Sequence, residues 1–216
     1  MVTWARHGEN LANVTRTFSF RVYDESLTER GRQQARDLAA RLAAGPAPDR
    51  IVCSPLRRAA ETAPILAEAL GTADVTADEN LREVNVGSLD GRNDTRSWAA
   101  YNRVLDAWRH GDYAARFPDG EDCTELTARL RAAFTAMTGP GDDQVLVVAH
   151  GANIRAALPL LAAVPDPGHD LPTGGSARFL TSPGGGTGIR LRLVSWASPA
   201  VRASRASALS TEGDVL

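Results

Sequence analysis

The sequence predicts an α/β fold, a three-layer α/β/α sandwich around a mainly parallel central sheet. Three observations carry that expectation. Short apolar runs alternate with longer segments whose apolar residues recur at helical spacing. The run Val145 to Ala149 is apolar at every position, as a parallel strand buried on both faces should be. That run stops at His150-Gly151, and the first run of the chain stops in the same way at Arg6-His7-Gly8. In open α/β sheets ligands bind at the carboxyl edge of the strands, so both stops are candidate site positions.

Taken in order, Thr3-Trp4-Ala5 reads as a buried strand that hands over to a loop at His7. Leu27-Thr28-Glu29-Arg30-Gly31 leads into a helix through Leu42, with Thr28 as its cap and Gly45-Pro46 ending it. Arg50 to Cys53 is a second strand running into Ser54-Pro55, and Leu56 to Leu70 is helical, with Ala59, Ala63, Leu66 and Leu70 on one face. Val75-Thr76 reads as a short edge strand. The middle, from Arg82 to about Gly120, is irregular apart from a helix carrying Trp98, Tyr101 and Trp108. Glu121 to Met137 is amphipathic, with Leu126, Leu130 and Phe134 on one side. A helix from Ile154 to Ala163 and strands at Ala177–Thr181 and Ile189–Trp196 complete one expected domain, residues 1–197, with a cap insertion at about 85–120. The Ala- and Ser-rich segment 198–216 reads as a loosely ordered tail.

Composition narrows the function. The chain has 216 residues, 43% hydrophobic and 23% charged, and a net charge of −2, so neither nucleic acid nor an anionic membrane is an expected partner. No apolar stretch approaches the roughly 20 residues of a membrane helix. The chain opens on a strand, with no room for a signal peptide, and a cytoplasmic location is expected. Cys53 and Cys123 have no metal-ligand spacing, and Cys53 reads as a small buried core residue. All 24 basic residues are arginine, which excludes lysine Schiff bases and the P-loop phosphate grip.

A guanidinium beside an imidazole, followed by a glycine, is a plausible seat for a phosphoryl group. Alone it is equally a strand end with an incidental histidine. The three strand ends at His7, Ser54 and His150 lie on one edge of a parallel sheet, however, and two of the chain's four histidines occupy them. Arg57 and Arg58 open the helix after the second of these ends.

At this point a resemblance is plain. Arg6-His7-Gly8-Glu9 with Asn13, then Leu27-Thr28-Glu29-Arg30-Gly31, Ser54-Pro55-Leu56-Arg57-Arg58-Ala59, Leu81-Arg82-Glu83 with Gly87, and Val147-Val148-Ala149-His150-Gly151 resemble, in order, the motifs of the histidine phosphatase superfamily, the phosphoglycerate-mutase-like fold. The resemblance implies that His7 is the nucleophile and becomes phosphohistidine. It implies that Arg6, Asn13, Arg58, His150 and Gly151 hold the phosphate, and that Glu83 is the general acid and base. Simpler readings stand beside two of these: Asn13 as a turn residue, and Glu83 as a loop carboxylate paired with Arg82. Arg57 is read as a rim residue, and His110 and His169 as ordinary surface residues. No metal and no cofactor is implied.

The chain also departs from that family. Phosphoglycerate mutases commonly follow the glutamate with Arg-Tyr-Tyr-Gly and carry a basic cluster farther on. Here Glu83 is followed by Val84-Asn85-Val86-Gly87, and no such cluster is recognisable. Both departures favour hydrolysis of a small phosphorylated metabolite over mutase chemistry. The loop Phe18 to Tyr23 is atypical, so Arg21 and Tyr23 are candidates for shaping the pocket around the substrate's organic half. A mutase, a phospho-ligand binder without turnover, and a member with redirected chemistry are the rival readings. A homodimer paired through exposed Trp or Leu of the 121–137 helix is left open.

Overall fold

The computed structural model describes residues 1–138, 144–164, 171–183 and 189–197. The chain begins with β1 (Val2–Arg6), a short α1 (Leu11–Thr15), α2 (Glu29–Leu42), β2 (Arg50–Cys53), α3 (Arg57–Leu70) and β3 (Val75–Ala77). After two single-turn 3-10 segments come α4 (Thr95–Arg109), α5 (Cys123–Met137), β4 (Val145–Ala149), α6 (Gly151–Leu161), β5 (Ser176–Pro183) and β6 (Ile189–Ala197). The strands form one sheet in the order β3-β2-β4-β1-β5-β6. β1, β4, β2 and β3 run parallel, and β5 and β6 add an antiparallel edge.

The two faces of the sheet follow from the alternation of side chains along each strand. Val2, Trp4, Val145, Val147 and Ala149 enter a core built with Leu126, Leu130 and Phe134 of α5 and Ile154, Ala157 and Leu158 of α6. Ala5, Ile51, Cys53, Leu146 and Val148 enter a second core with Leu38 and Ala39 of α2 and Ala59, Ala63 and Leu66 of α3. β4 is buried at all its positions because helices cover both faces, which is why its sequence is uninterrupted in apolar residues. This is the expected three-layer sandwich.

Element boundaries follow local chemistry. The Thr28 hydroxyl accepts the Gly31 N–H at 3.0 Å and caps α2 as expected. The helix expected from Glu121 starts at Cys123, because Asp122 and Glu125 form a reciprocal capping box. α6 begins at Gly151, three residues before the apolar pattern of Ile154 announces it, because His150 keeps an extended backbone (φ −124°, ψ 162°) and the chain turns straight into helix. α1 is too short for a periodic pattern and was not expected; Asn10 and Asn13 cap it reciprocally. The leucines of α5, Leu126 and Leu130, are wholly buried, and that helix contains no tryptophan, so neither is available to pair two copies of the chain. Cys53 and Cys123 are both buried free thiols. His169 and the segment 198–216 lie outside the described residues.

Candidate active site

The parallel register sets Arg6 opposite Ala149 and Cys53 opposite Val148. His7, Ser54 and His150 are therefore delivered together, each by the residue that follows its strand. The rings of His7 and His150 lie edge to face with centroids 5.1 Å apart, and both side chains are buried. Gly8 has a structural duty here. A Cβ on it would overlap the Gly31 carbonyl, and one on Gly31 would overlap the Glu9 backbone, so the close approach joins the β1 exit to α2. The approach expected at Gly8 is thus to the protein's own backbone.

The protonation of His7 follows from its neighbours. Nδ1 lies 2.7 Å from the Gly8 carbonyl oxygen, which can only accept, so this nitrogen carries the hydrogen. Nε2 then presents its lone pair, and the Arg58 Nε–H donates to it at 3.0 Å. Burial, and then the charges of Arg58 and Arg6, hold the imidazole well below its usual pKa and keep it neutral. Burial likewise pulls Arg58 down to about 10, against the favourable charges of Glu83 and Asp24, so it remains a cation at neutral pH.

Arg58 reaches into the site from the first turn of α3, while Arg57 beside it is exposed, as expected of a rim residue. The Arg58 Nη1 donates to the Ser19 hydroxyl and Nη2 to the Ser19 carbonyl, each at 2.9 Å. Arg6 donates through Nη1 to the Leu171 carbonyl at 2.6 Å, and its buried Nε has no partner. His150 Nε2 meets the Ser54 hydroxyl at 2.9 Å, and its buried Nδ1 has no partner. Ser54 Oγ accepts the Leu56 N–H and has its own proton free to turn to His150 Nε2; with that proton given, Nδ1 of His150 carries the ring hydrogen. In that tautomer the Arg6 Nε–H and the His150 Nδ1–H are two buried donors without a partner, a seat for an anion's oxygens. Burial, with the charges of Arg58, His7 and Arg6, also keeps His150 well below its usual pKa. Gly151 belongs to the packing beneath this seat, where a Cβ would crowd the Leu171 carbonyl and the Arg6 side chain.

Arg6, His7 and Arg58 open onto a cleft of about 660 Å³ including its mouth, whereas the buried His150 and Gly151 are not among its lining residues. Arg6, His7, Asn13, Arg58 and Glu83 all line it. Asn13 spends its Oδ1 on the Asn10 N–H, so its amide N–H groups are what it offers the cleft. Glu83 Oε1 accepts the backbone N–H groups of Val84 and Asn153, each at 2.9 Å, the second being a first-turn amide of α6. Arg82 pairs with Glu79 instead.

Several residues that build the site have weak sequence signals. Arg129 of α5 donates to the carbonyls of Asn80, Arg82 and Glu83 and makes a two-pronged pair with Glu121, tying down the segment that presents Glu83. Asn153 donates to the carbonyls of Leu81 and Arg82. The Thr62 hydroxyl accepts the Gly8 N–H. The atypical loop is ordered by Asp90, whose carboxylate accepts the N–H groups of Phe20, Arg21 and Val22 at 2.9, 2.8 and 2.6 Å. Ser19 hydrogen-bonds the Tyr23 carbonyl. Arg21 and Tyr23 do not line the cleft: Arg21 is exposed and engages Asp90 through its backbone, and the loop lines the cleft with Phe18 and Ser19 instead.

Fold and site together are those of the histidine phosphatase superfamily. The family model for the histidine phosphatase superfamily (branch 1) matches residues 2–175, and the chain belongs to that superfamily. It is 35% identical over 172 residues to a probable phosphoglycerate mutase, GpmB, of Yersinia pestis, covering 74% of each chain. Among solved structures, it superposes on a mycobacterial hydrolase with a TM-score of 0.76 at 28% identity, covering 92% of this chain and 98% of the other. A mycobacterial glucosyl-3-phosphoglycerate phosphatase, solved with VO3, superposes with a TM-score of 0.75 at 28% identity, over 92% and 99% of the two chains. Among the described residues no helix is long and apolar enough to cross a membrane, and no group of three or more His, Cys, Asp or Glu is placed to hold a metal ion.

Proposed function

We propose that the protein is a metal-independent phosphatase that hydrolyses a small phosphate monoester through a phosphohistidine on His7. The observation that carries this is the state of His7: a buried neutral imidazole with its proton on Nδ1 and its lone pair on Nε2, between two guanidinium groups. In the first half-reaction Nε2 bonds to phosphorus as the P–O bond to the alcohol breaks. The Arg58 Nε–H then passes from the Nε2 lone pair to a phosphoryl oxygen, while Arg6 and His150 take the charge that spreads over the other oxygens. Glu83, in its protonated form, gives its proton to the leaving alkoxide. As the carboxylate it then takes one from the water that attacks phosphohistidine, and phosphate leaves.

The relative GpmB favours a second reading, a phosphoglycerate-type mutase. Against it, Arg6 and Arg58 are the only cations lining the cleft among the described residues, and the proposed mechanism commits both to the phosphoryl group. None is left for a sugar-acid carboxylate.

The test is phosphate release in EDTA from a panel of monoesters, with rapid acid or base quenching of radiolabelled substrate. The wild type should release phosphate and trap an acid-labile, base-stable phosphoprotein, and His7→Ala should do neither. Isomerisation with retention of label, dependent on a bisphosphate primer, would establish the mutase instead.

A further inference from the structure

The cleft has two unlike halves. Its floor holds Arg6, His7, Asn13, Arg58 and Glu83, the groups already assigned to phosphoryl transfer. Its wall is built by Phe18, Val84, Val86, Trp98, Tyr101 and Ala152. Three of these form an aromatic cluster, with Phe18 4.4 Å from Trp98 and 5.0 Å from Tyr101, ring centroid to ring centroid. Trp98 is fixed at both ends of its polarity: its Nε1–H donates to the Arg16 carbonyl at 3.0 Å, and the Arg16 guanidinium carbon lies 5.0 Å from its ring centroid. Arg16 itself does not line the cleft. Past the floor, the lining residues carry no charged side chain among those described; of the polar ones, Asn10, Thr17 and Ser19 are engaged with their own neighbours, and Tyr101 adds a single neutral hydroxyl.

A carboxylate or second phosphate on the alcohol half would therefore enter this wall without a counter-charge and lose its water there. An apolar group would bury against flat rings that are already ordered. Resting on the phosphatase reading for the chemistry, we infer that the substrate is a monoester of an uncharged, apolar alcohol bearing a ring or a branched hydrocarbon close to the phosphate. Trp98 and Phe18 are the residues that select it. The reaction moves the phosphoryl group from the alcohol to His7 and then to water, with the alcohol taking one proton and leaving.

The experiment compares kcat/KM for 2-phenylethyl phosphate, glycerol 3-phosphate and 3-phosphoglycerate, all monoesters of primary alcohols. The expected order puts 2-phenylethyl phosphate ahead of 3-phosphoglycerate by about tenfold or more, the scale on which an apolar pocket discriminates. Trp98→Ala should erase most of that lead. Thr17→Arg, which adds a cation to the wall, should raise 3-phosphoglycerate about tenfold. A 3-phosphoglycerate rate equal to or above that of 2-phenylethyl phosphate, dependent on His7, overturns the inference and leaves the phosphatase reading standing. Should none of the three release phosphate, the phosphatase reading falls. Calorimetric binding of the same esters to His7→Ala still decides the substrate class, because an unchanged order of affinities supports it and a preference for 3-phosphoglycerate refutes it.

Discussion

At the scale of single residues, the site depends on where three protons sit. Nδ1 of His7 holds one because the Gly8 carbonyl demands it, and Nε2 is thereby left nucleophilic. Nδ1 of His150 holds another when the Ser54 hydroxyl turns its own proton to Nε2. Ser54 is thus a positioning residue acting through His150. Ser54→Ala removes the hydrogen bond to His150 along with the one from Leu56, and loss of the first should lower kcat about fivefold, the kinetic equivalent of about 1 kcal/mol, with KM nearly unchanged. Nitrogen NMR of the His150 ring should show the Nδ1–H tautomer in the wild type and a mixture in the variant, with Ser54→Thr restoring the single tautomer. An unmixed tautomer in Ser54→Ala would remove this role.

At the scale of elements, strand ends supply the phosphoryl seat and two irregular segments supply the rest. The segment bearing Glu83 is bound to α5 by Arg129 and to α6 by Asn153. The loop from Phe18 to Tyr23 is bound by Asp90 and reports its position to Arg58 through Ser19. Asp90→Ala frees three backbone amides at once. Hydrogen exchange of Phe20, Arg21 and Val22 should then accelerate by about tenfold or more, and kcat/KM should fall in step, while the melting temperature changes little because the loop is half exposed. Protection retained in that variant would show that the loop holds itself.

For the whole molecule, two buried neutral histidines couple folding to pH. Both are depressed in the folded state, mainly by burial and next by Arg58. Their unfolded pKa is about 6.5, so below that pH the unfolded chain gains protons that the folded one refuses. Their contribution is full above that value and is lost as pH falls toward the depressed pKa values. Stability should drop by up to about 1.4 kcal/mol per pH unit for each histidine below pH 6.5, and His150→Ala should flatten the slope in urea titrations at pH 5 to 7. A flat profile in the wild type would contradict the burial of these rings.

Much of this architecture was legible in the residues. The uninterrupted β4, the capped α2 and the paired His-Gly stops placed the sheet, its direction and the two histidines. What pattern could not show were contacts made by ordinary polar residues far apart in the chain. Arg129 reads as one more charge on an amphipathic helix, and Asp90 as part of the Glu83 motif with no partner of its own, because what each does is set by carbonyls or amides that only the folded chain assembles. Arg21 and Tyr23 were drawn into the pocket by their chemistry, yet the loop turns on its backbone and leaves Phe18 and Ser19 facing the cleft. Ser54 had a visible place at a strand end but no visible function.

The joint between Gly8 and Gly31 carries a consequence for how this sequence can vary. On both sides the obstacle to a side chain is main chain: the Gly31 carbonyl for Gly8, and the Glu9 backbone for Gly31. Neighbouring side chains could shrink to make room for a larger residue elsewhere, but main-chain atoms are the same in every sequence. Neither position has a compensating partner mutation, and exchanging the two residues as a pair does not help. Drift around the active site is therefore channelled away from these two positions and into the walls of the cleft. Descendants of this chain can change what they accept while the joint that aligns His7 stays as it is.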